Sequence, residues 1–165
     1  FFFHRRHRFN FHSHCLEPGI FGSIQRFTTG GEVTDINDLI IHAGDIGEEA
    51  VLDKLSKIAP VAAVRGNMDF GKWAGKLPET EVIEIDQTVL YVLHILNRLD
   101  IEPEKLGYKV VISGHTHRPD LYEKNGVTFI NPGSASYPKS GQPGSVALIQ
   151  IKEDHLDLKR IDLKN

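Results

Sequence analysis

The chain is poor in features that define whole classes of protein. It holds one cysteine, Cys15, in 165 residues, which excludes an internal disulfide framework and favours a reducing, cytoplasmic setting. It lacks a long hydrophobic run. Stretches such as Val89-Leu90-Tyr91-Val92-Leu93 stop far short of the roughly 18 residues needed to span a bilayer, so no membrane partner is expected. It has no excess of basic charge: 19 lysines and arginines against 22 acids leave a net charge of −3. That balance argues against bulk binding of nucleic acid or anionic membrane, and nucleic acid is expected only as a substrate. The opening Phe1-Phe2-Phe3-His4-Arg5-Arg6-His7-Arg8 contains no apolar stretch of about 7–15 residues, so no secretory signal is read in it.

What the chain does have is a globular composition, 40% hydrophobic and 25% charged, and nine histidines. The length suits one domain. Composition breaks near residue 33, because residues 1–30 hold seven of the nine phenylalanines and only one acid, Glu17. Residues 1–33 are therefore read as an atypical Phe/Arg/His-rich segment, and residues 34–165 as the folded domain. Interleaved Phe and Arg in residues 1–11 have the composition of a single-strand stacking platform, but no patterned element lies beneath them. His4, His7, His12, His14 and Cys15 are too irregularly spaced for a closed zinc site.

Beyond residue 34 the pattern is orderly. Leu39-Ile40-Ile41 reads as a short strand buried on both faces. Glu48 and Glu49 open an amphipathic helix with Val51, Leu52, Leu55, Ile58 and Ala59 on one side, late lysines at 54 and 57, and a stop at Pro60. Val61 to Val64 is a second strand, so strand, helix and strand predict a parallel pair. The second half reads as a run of short antiparallel strands: Val82–Ile85, Val89–Leu93, Val110–Ser113, Tyr122–Lys124, Val127–Ile130, Val146–Ile151 and Leu156–Leu163. Asn125-Gly126 predicts a two-residue hairpin turn, and Lys152-Glu153-Asp154 a second turn. Two packed sheets flanked by helices are expected. Edge strands could pair between chains, which leaves a homo-oligomer open.

Four segments place ligand-type side chains where strands end: Gly44-Asp45, Gly66-Asn67-Met68-Asp69, His94, and Gly114-His115-Thr116-His117. Open α/β sheets build their sites in such loops. One carboxylate, one carboxamide and three imidazoles suit Mn²⁺, Fe²⁺, Zn²⁺, Co²⁺ or Ni²⁺. His115 and His117 are two apart, which in an extended segment turns both to one side. Asp45 is the choice for a carboxylate shared by two cations. Each has a plainer reading alone: a turn at Gly44-Asp45, a core histidine at His94. Their number and order weigh against coincidence. His42 is expected to pack or to orient a ligand, and His155 to be solvated. Arg65 and Lys139 are read as ion-pair or solvated cations before phosphate holders.

This ordered set, with Asn131-Pro132-Gly133-Ser134 after it, resembles the calcineurin-like metallophosphoesterases, and within them the small bacterial and archaeal phosphodiesterases related to the retromer scaffold subunit. The resemblance covers residues 38 to about 163. It implies a four-layer α-β-β-α sandwich with mixed sheets and hydrolysis of a small phosphoester by a hydroxide bridging two divalent ions, usually Mn²⁺. It also implies that Asp45 bridges the ions, that Asn67, His94 and His115 complete one site, and that His117 serves the other. The family's opening Asp-x-His is not recognisable here; His12-Ser13-His14 is the nearest candidate, which makes His12 and His14 tentative ligands. Met68 stands where many members have a histidine, and it cannot protonate a leaving group. The alternative is a binding scaffold that kept the sandwich and lost turnover.

Overall fold

The computed structural model describes residues 24–29, 39–152 and 155–163. These residues form two five-stranded sheets packed face to face. The first contains β1 (Ile24–Thr29), β2 (Leu39–His42), β3 (Val61–Ala63), β9 (Ser145–Lys152) and β10 (His155–Asp162), in the order β10-β9-β1-β2-β3. The second contains β4 (Thr80–Ile85), β5 (Thr88–Leu93), β6 (Val110–Ile112), β7 (Pro119–Lys124) and β8 (Val127–Pro132), in the order β4-β5-β6-β8-β7. Both sheets are mixed.

Local sequence explains the first crossover. Helix α1 (Glu49–Ser56) starts with an acid in its first turn, carries Lys54 in its last, and buries Val51 and Leu55. It ends before Pro60, and β3 then pairs parallel to β2, with Ile40 opposite Val61 and His42 opposite Ala63. The Asn125-Gly126 turn forms as expected: both residues take positive φ, 54° and 75°, and Lys124 faces Val127 across the hairpin. The Lys152 to His155 pairing closes β9 on β10, although Glu153 and Asp154 lie outside the described residues.

The run of antiparallel strands is corrected. Hairpins β4–β5, β7–β8 and β9–β10 are antiparallel, but β5, β6 and β8 run parallel in the middle of the second sheet. The alternation of side chains is the same for either direction; only the connections decide it. Residues 94–109 are long enough for a crossover. β6 is buried at every position, as a central parallel strand should be. Strand β1, inside the segment that composition sets apart, runs antiparallel to β2 and parallel to β9.

Alternation sorts side chains into three apolar layers. Ile41, Leu90, Val92, Val110, Ile112, Ile130, Ala147 and Ile149 meet between the sheets. Ile40, Ile46 and Val146 face outward, against Val51 and Leu55 of α1. Tyr91, Leu93, Val111 and Phe129 face the other way, covered by Leu96, Leu99, Ile101 and Tyr108. That fourth layer is a 3-10 turn at Leu96–Arg98 and the turns after it, not a long helix. Among the described residues no helix is long and apolar enough to cross a membrane. Strands β2, β3, β5 and β6 all end at the same side of the sandwich, which brings their following loops together.

Candidate metal centre

Asp45 follows β2, Asn67 follows β3, His94 follows β5 and His115 follows β6; their polar atoms converge. One ligand atom from each of Asp45, His94 and His115 lies within 4.8 Å of the others. His94 Nε2 is 3.2 Å from Asp45 Oδ2 and 2.9 Å from Asn67 Oδ1. His115 Nδ1 is 2.9 Å from the same Asn67 oxygen. Asp45 and His94 are buried and His115 is exposed, so the cluster is rooted in the sandwich and open on one side.

The tautomer of His94 decides what the cluster can hold. Its Nδ1–H donates to the Ala43 carbonyl, 2.7 Å away, since a carbonyl can only accept. In the neutral ring Nε2 then presents a lone pair to two oxygens that also carry lone pairs. Three acceptors turned on one another need a proton or a cation between them. A carboxylate, an amide oxygen and imidazole nitrogens suit a borderline divalent metal, and the backbone carbonyl behind His94 is the partner that orients a ligating ring. The residues present therefore fit such an ion.

Backbone conformation is unusual here. Asp45 has φ 58° and His115 φ 67°, left-handed values that cost non-glycine residues energy and cluster at functional sites. Gly44, at φ 87°, precedes Asp45, and a Cβ there would sit 2.6 Å from His94 Nδ1. Gly66 has no such φ; its role is close approach, because a Cβ would run into the backbone and carboxylate of Asp45. Before His115 the glycine, Gly114, does not take a positive φ; the left-handed turn there is made by the histidine itself.

His117 is placed differently from the other four. The segment 115–117 is not extended, since His117 also has φ 57°, so alternation does not set its two rings side by side. His117 Nδ1–H donates to the Tyr137 carbonyl at 2.7 Å, which leaves Nε2 as its lone-pair atom. Only when that ring is protonated does its charge add to the lowering of the Asp45 carboxyl. His12 and His14 lie outside the described residues. Arg65 is paired with Glu79 at 2.6 Å on the surface, so the ion-pair reading holds for it. His42 is wholly buried.

The surroundings of the cluster act on two of its groups. Burial pushes the Asp45 carboxyl up, but the His94 ring, the Met68 N–H and the charge that His94 and His117 carry when protonated outweigh it and hold it below its ordinary value. His115 is also held below its ordinary value. The first cause is loss of water on the side of the ring turned inward; positive charge at His94, His117 and Arg98 adds to it, against the opposing pull of Asp45.

Two further residues, both within motifs singled out in the sequence, support the cluster. Asn131 Nδ2 donates to the Gly114 carbonyl at 2.6 Å and to Thr116 Oγ1 at 3.1 Å, bracing the His115 loop from β8. Asp69 is buried and accepts four backbone N–H groups, from Asp45, Ile46, Gly47 and Gly66. Their places in Asn-Pro-Gly and Gly-Asn-x-Asp were the available signal.

Comparison with known proteins agrees with this layout. The model for the calcineurin-like phosphoesterase superfamily domain matches residues 23–154. A probable metallophosphoesterase of Methanocaldococcus jannaschii is 35% identical over 135 residues, covering 77% of this chain and 67% of that protein. The phosphodiesterase YfcE of Escherichia coli is 31% identical over 119 residues, 60% of this chain and 58% of its own length. Among solved structures, Vps29 of Entamoeba histolytica complexed with Zn²⁺ shares the fold with a TM-score of 0.58 at 21% identity, over 86% of this chain and 99% of that one. Fold, loop order and relatives converge on one statement: the chain belongs to the calcineurin-like phosphoesterase superfamily and is a metallophosphoesterase.

Proposed function

We propose that the protein hydrolyses a small phosphodiester at the Asp45 cluster, in a cytoplasmic setting. The observation that carries this is the convergence of Asp45, Asn67, His94 and His115 with mutually facing acceptor atoms. Asp45, Asn67, His94 and His115 would hold one divalent ion, most simply Mn²⁺, and Asp45 with His117 would serve a second. When bound, such cations polarise phosphoryl oxygens and make water a nucleophile near neutral pH. The chain's own residues do the rest. Met68 N–H, 2.8 Å from Asp45 Oδ1, fixes which carboxylate oxygen faces the cluster. The Ala43 carbonyl keeps the proton of His94 on Nδ1. Met68 offers no proton to a departing alkoxide, so good leaving groups are favoured.

The test is hydrolysis of bis-aryl phosphodiesters by Mn²⁺-loaded protein. Rates should rise as leaving-group pKa falls, and His94→Ala should lose about 100-fold or more in kcat/KM, beyond the 10–100-fold typical of a residue that merely supports a ligand. A rate indifferent to leaving group, or an active His94→Ala, would contradict the assignment.

One observation favours a second reading, a scaffold without turnover. Among the described residues a single group of three or more His, Cys, Asp or Glu converges, and His117 is outside it. Metal stoichiometry separates the two: two ions per chain with turnover supports the enzyme, one or none without turnover the scaffold.

A further inference from the structure

Loops 44–47 and 66–69 are laced together reciprocally. The carboxylate of Asp45, on the first, accepts the N–H of Met68 on the second, at 2.8 Å. The carboxylate of Asp69, on the second, accepts the N–H groups of Asp45 (3.0 Å), Ile46 (2.6 Å) and Gly47 (3.0 Å) on the first, and that of Gly66 (2.7 Å) on its own. Three consecutive amides aimed at one anion make a concavity of the kind that binds phosphate in other proteins. Asp45 and Gly47 have positive φ, 58° and 90°, which turns the amides inward. Here the concavity is filled by the chain's own carboxylate, with only 6% of Asp69 exposed.

We infer that Asp69 is a positioning residue for the metal centre: it occupies this amide nest as a built-in anion and thereby fixes Asp45 and Asn67 relative to one another. The inference rests on the metal-site reading above. Asp69 touches none of His94, His115 or Asn67 in the hydrogen bonds of the cluster; it acts through backbone. Both of its oxygens are used, Oδ1 by Ile46 and Gly47 and Oδ2 by Asp45 and Gly66, so neither can be surrendered without stranding buried donors. The residue between Asn67 and Asp69 is the one that returns the clasp. The whole device therefore spans four residues on either side, 44–47 and 66–69, and holds the carboxylate and the amide oxygen before any ion arrives. A pre-organised site of this kind spends little binding energy on ordering its loops.

The experiment compares the full-length protein with Asp69→Asn and Asp69→Ala by Mn²⁺ calorimetry and by amide hydrogen exchange without metal. Asp69→Asn keeps the shape but turns an NH₂ towards two donors. Expected are at least a 10-fold loss of Mn²⁺ affinity, the scale seen for outer partners of metal ligands, and faster exchange at residues 45, 46, 47 and 66. In Asp69→Ala, added formate should slow exchange at those four amides and recover part of the affinity, which a merely structural lesion would not allow. Leu55→Ala, on the buried face of α1, serves as a destabilised control that keeps its Mn²⁺ affinity. If native protein binds Mn²⁺ and Asp69→Asn binds within twofold of it, the inference is overturned and the function stands. If native protein binds no Mn²⁺, both are overturned. Should Asp69→Ala fail to fold, unchanged exchange at the four amides in Asp69→Asn would still overturn the inference.

Discussion

At the scale of single residues the site depends on one close approach of two loops and on the titration of two side chains. Gly66 lets one loop lie against the backbone of Asp45, and no side chain fits between them. Gly66→Ala should destabilise the protein by roughly 1–3 kcal/mol, the usual cost of overpacking, and should weaken metal binding in proportion, since the displaced atoms belong to Asp45. Chemical denaturation with and without Mn²⁺ reads both effects; a neutral outcome would show that the loops can part without harm. Titration is the second matter. His115 is held below its ordinary 6.5 and Asp45 below its ordinary 3.8. For each group the unfolded chain binds more protons over the interval between its two values, so stability rises with pH there. On acidification the metal-free protein should therefore lose stability first below about pH 6.5 through His115, and again below about 3.8 through Asp45. His115→Gln should remove the first step and leave the second, which melting temperatures across pH would reveal. Mn²⁺ affinity should fall in the same direction, because protonated imidazole has no lone pair to give.

Among the elements, the loops matter more than the strands that bear them. Asn131 reaches from the end of β8 to two atoms of the loop after β6, and its own Oδ1 accepts the N–H of Gly133 at 3.0 Å. Asn131→Ala strands a buried carbonyl and should cost about 1–3 kcal/mol, with a 10–100-fold loss of metal affinity if His115 is thereby released. Asn131→Asp tests the geometry separately, since it keeps the acceptor for Gly133 but removes both donations. This is also the scale at which sequence and structure part company. Four ligand-type residues could be read from motif order, and β2, α1 and β3 from apolar spacing and Pro60. The parallel set β5, β6 and β8 could not, because buried strands carry no mark of direction. Nor could the part played by Asp69: its partners are backbone amides, and no residue type announces them. The positive φ of His115 and His117 was equally hidden, since it is imposed by the packing of the loop and not by glycine.

For the whole molecule, ion binding and folding should be linked. Asp45 and His94 project from strand ends rooted in the core between and around the sheets, so an ion held by them stabilises the native state and not the unfolded chain. Mn²⁺ at 100 times its Kd should add about 2.7 kcal/mol, which for a domain of this size is a rise in Tm of roughly 5–10 °C; a chelator should reverse it, and an unchanged Tm would mean that no ion binds the folded form. Another large-scale property follows from β1. It lies in the interior of the first sheet, with β2 on one flank and β9 on the other, and reaches them in opposite directions. A truncated polypeptide starting after Thr29 would carry a slit six residues long, lined on both walls by unsatisfied main-chain donors and acceptors. Such a slit is a receptor for any extended peptide of matching length, so the sandwich would be completed in trans or would seek a neighbour's strand to close it.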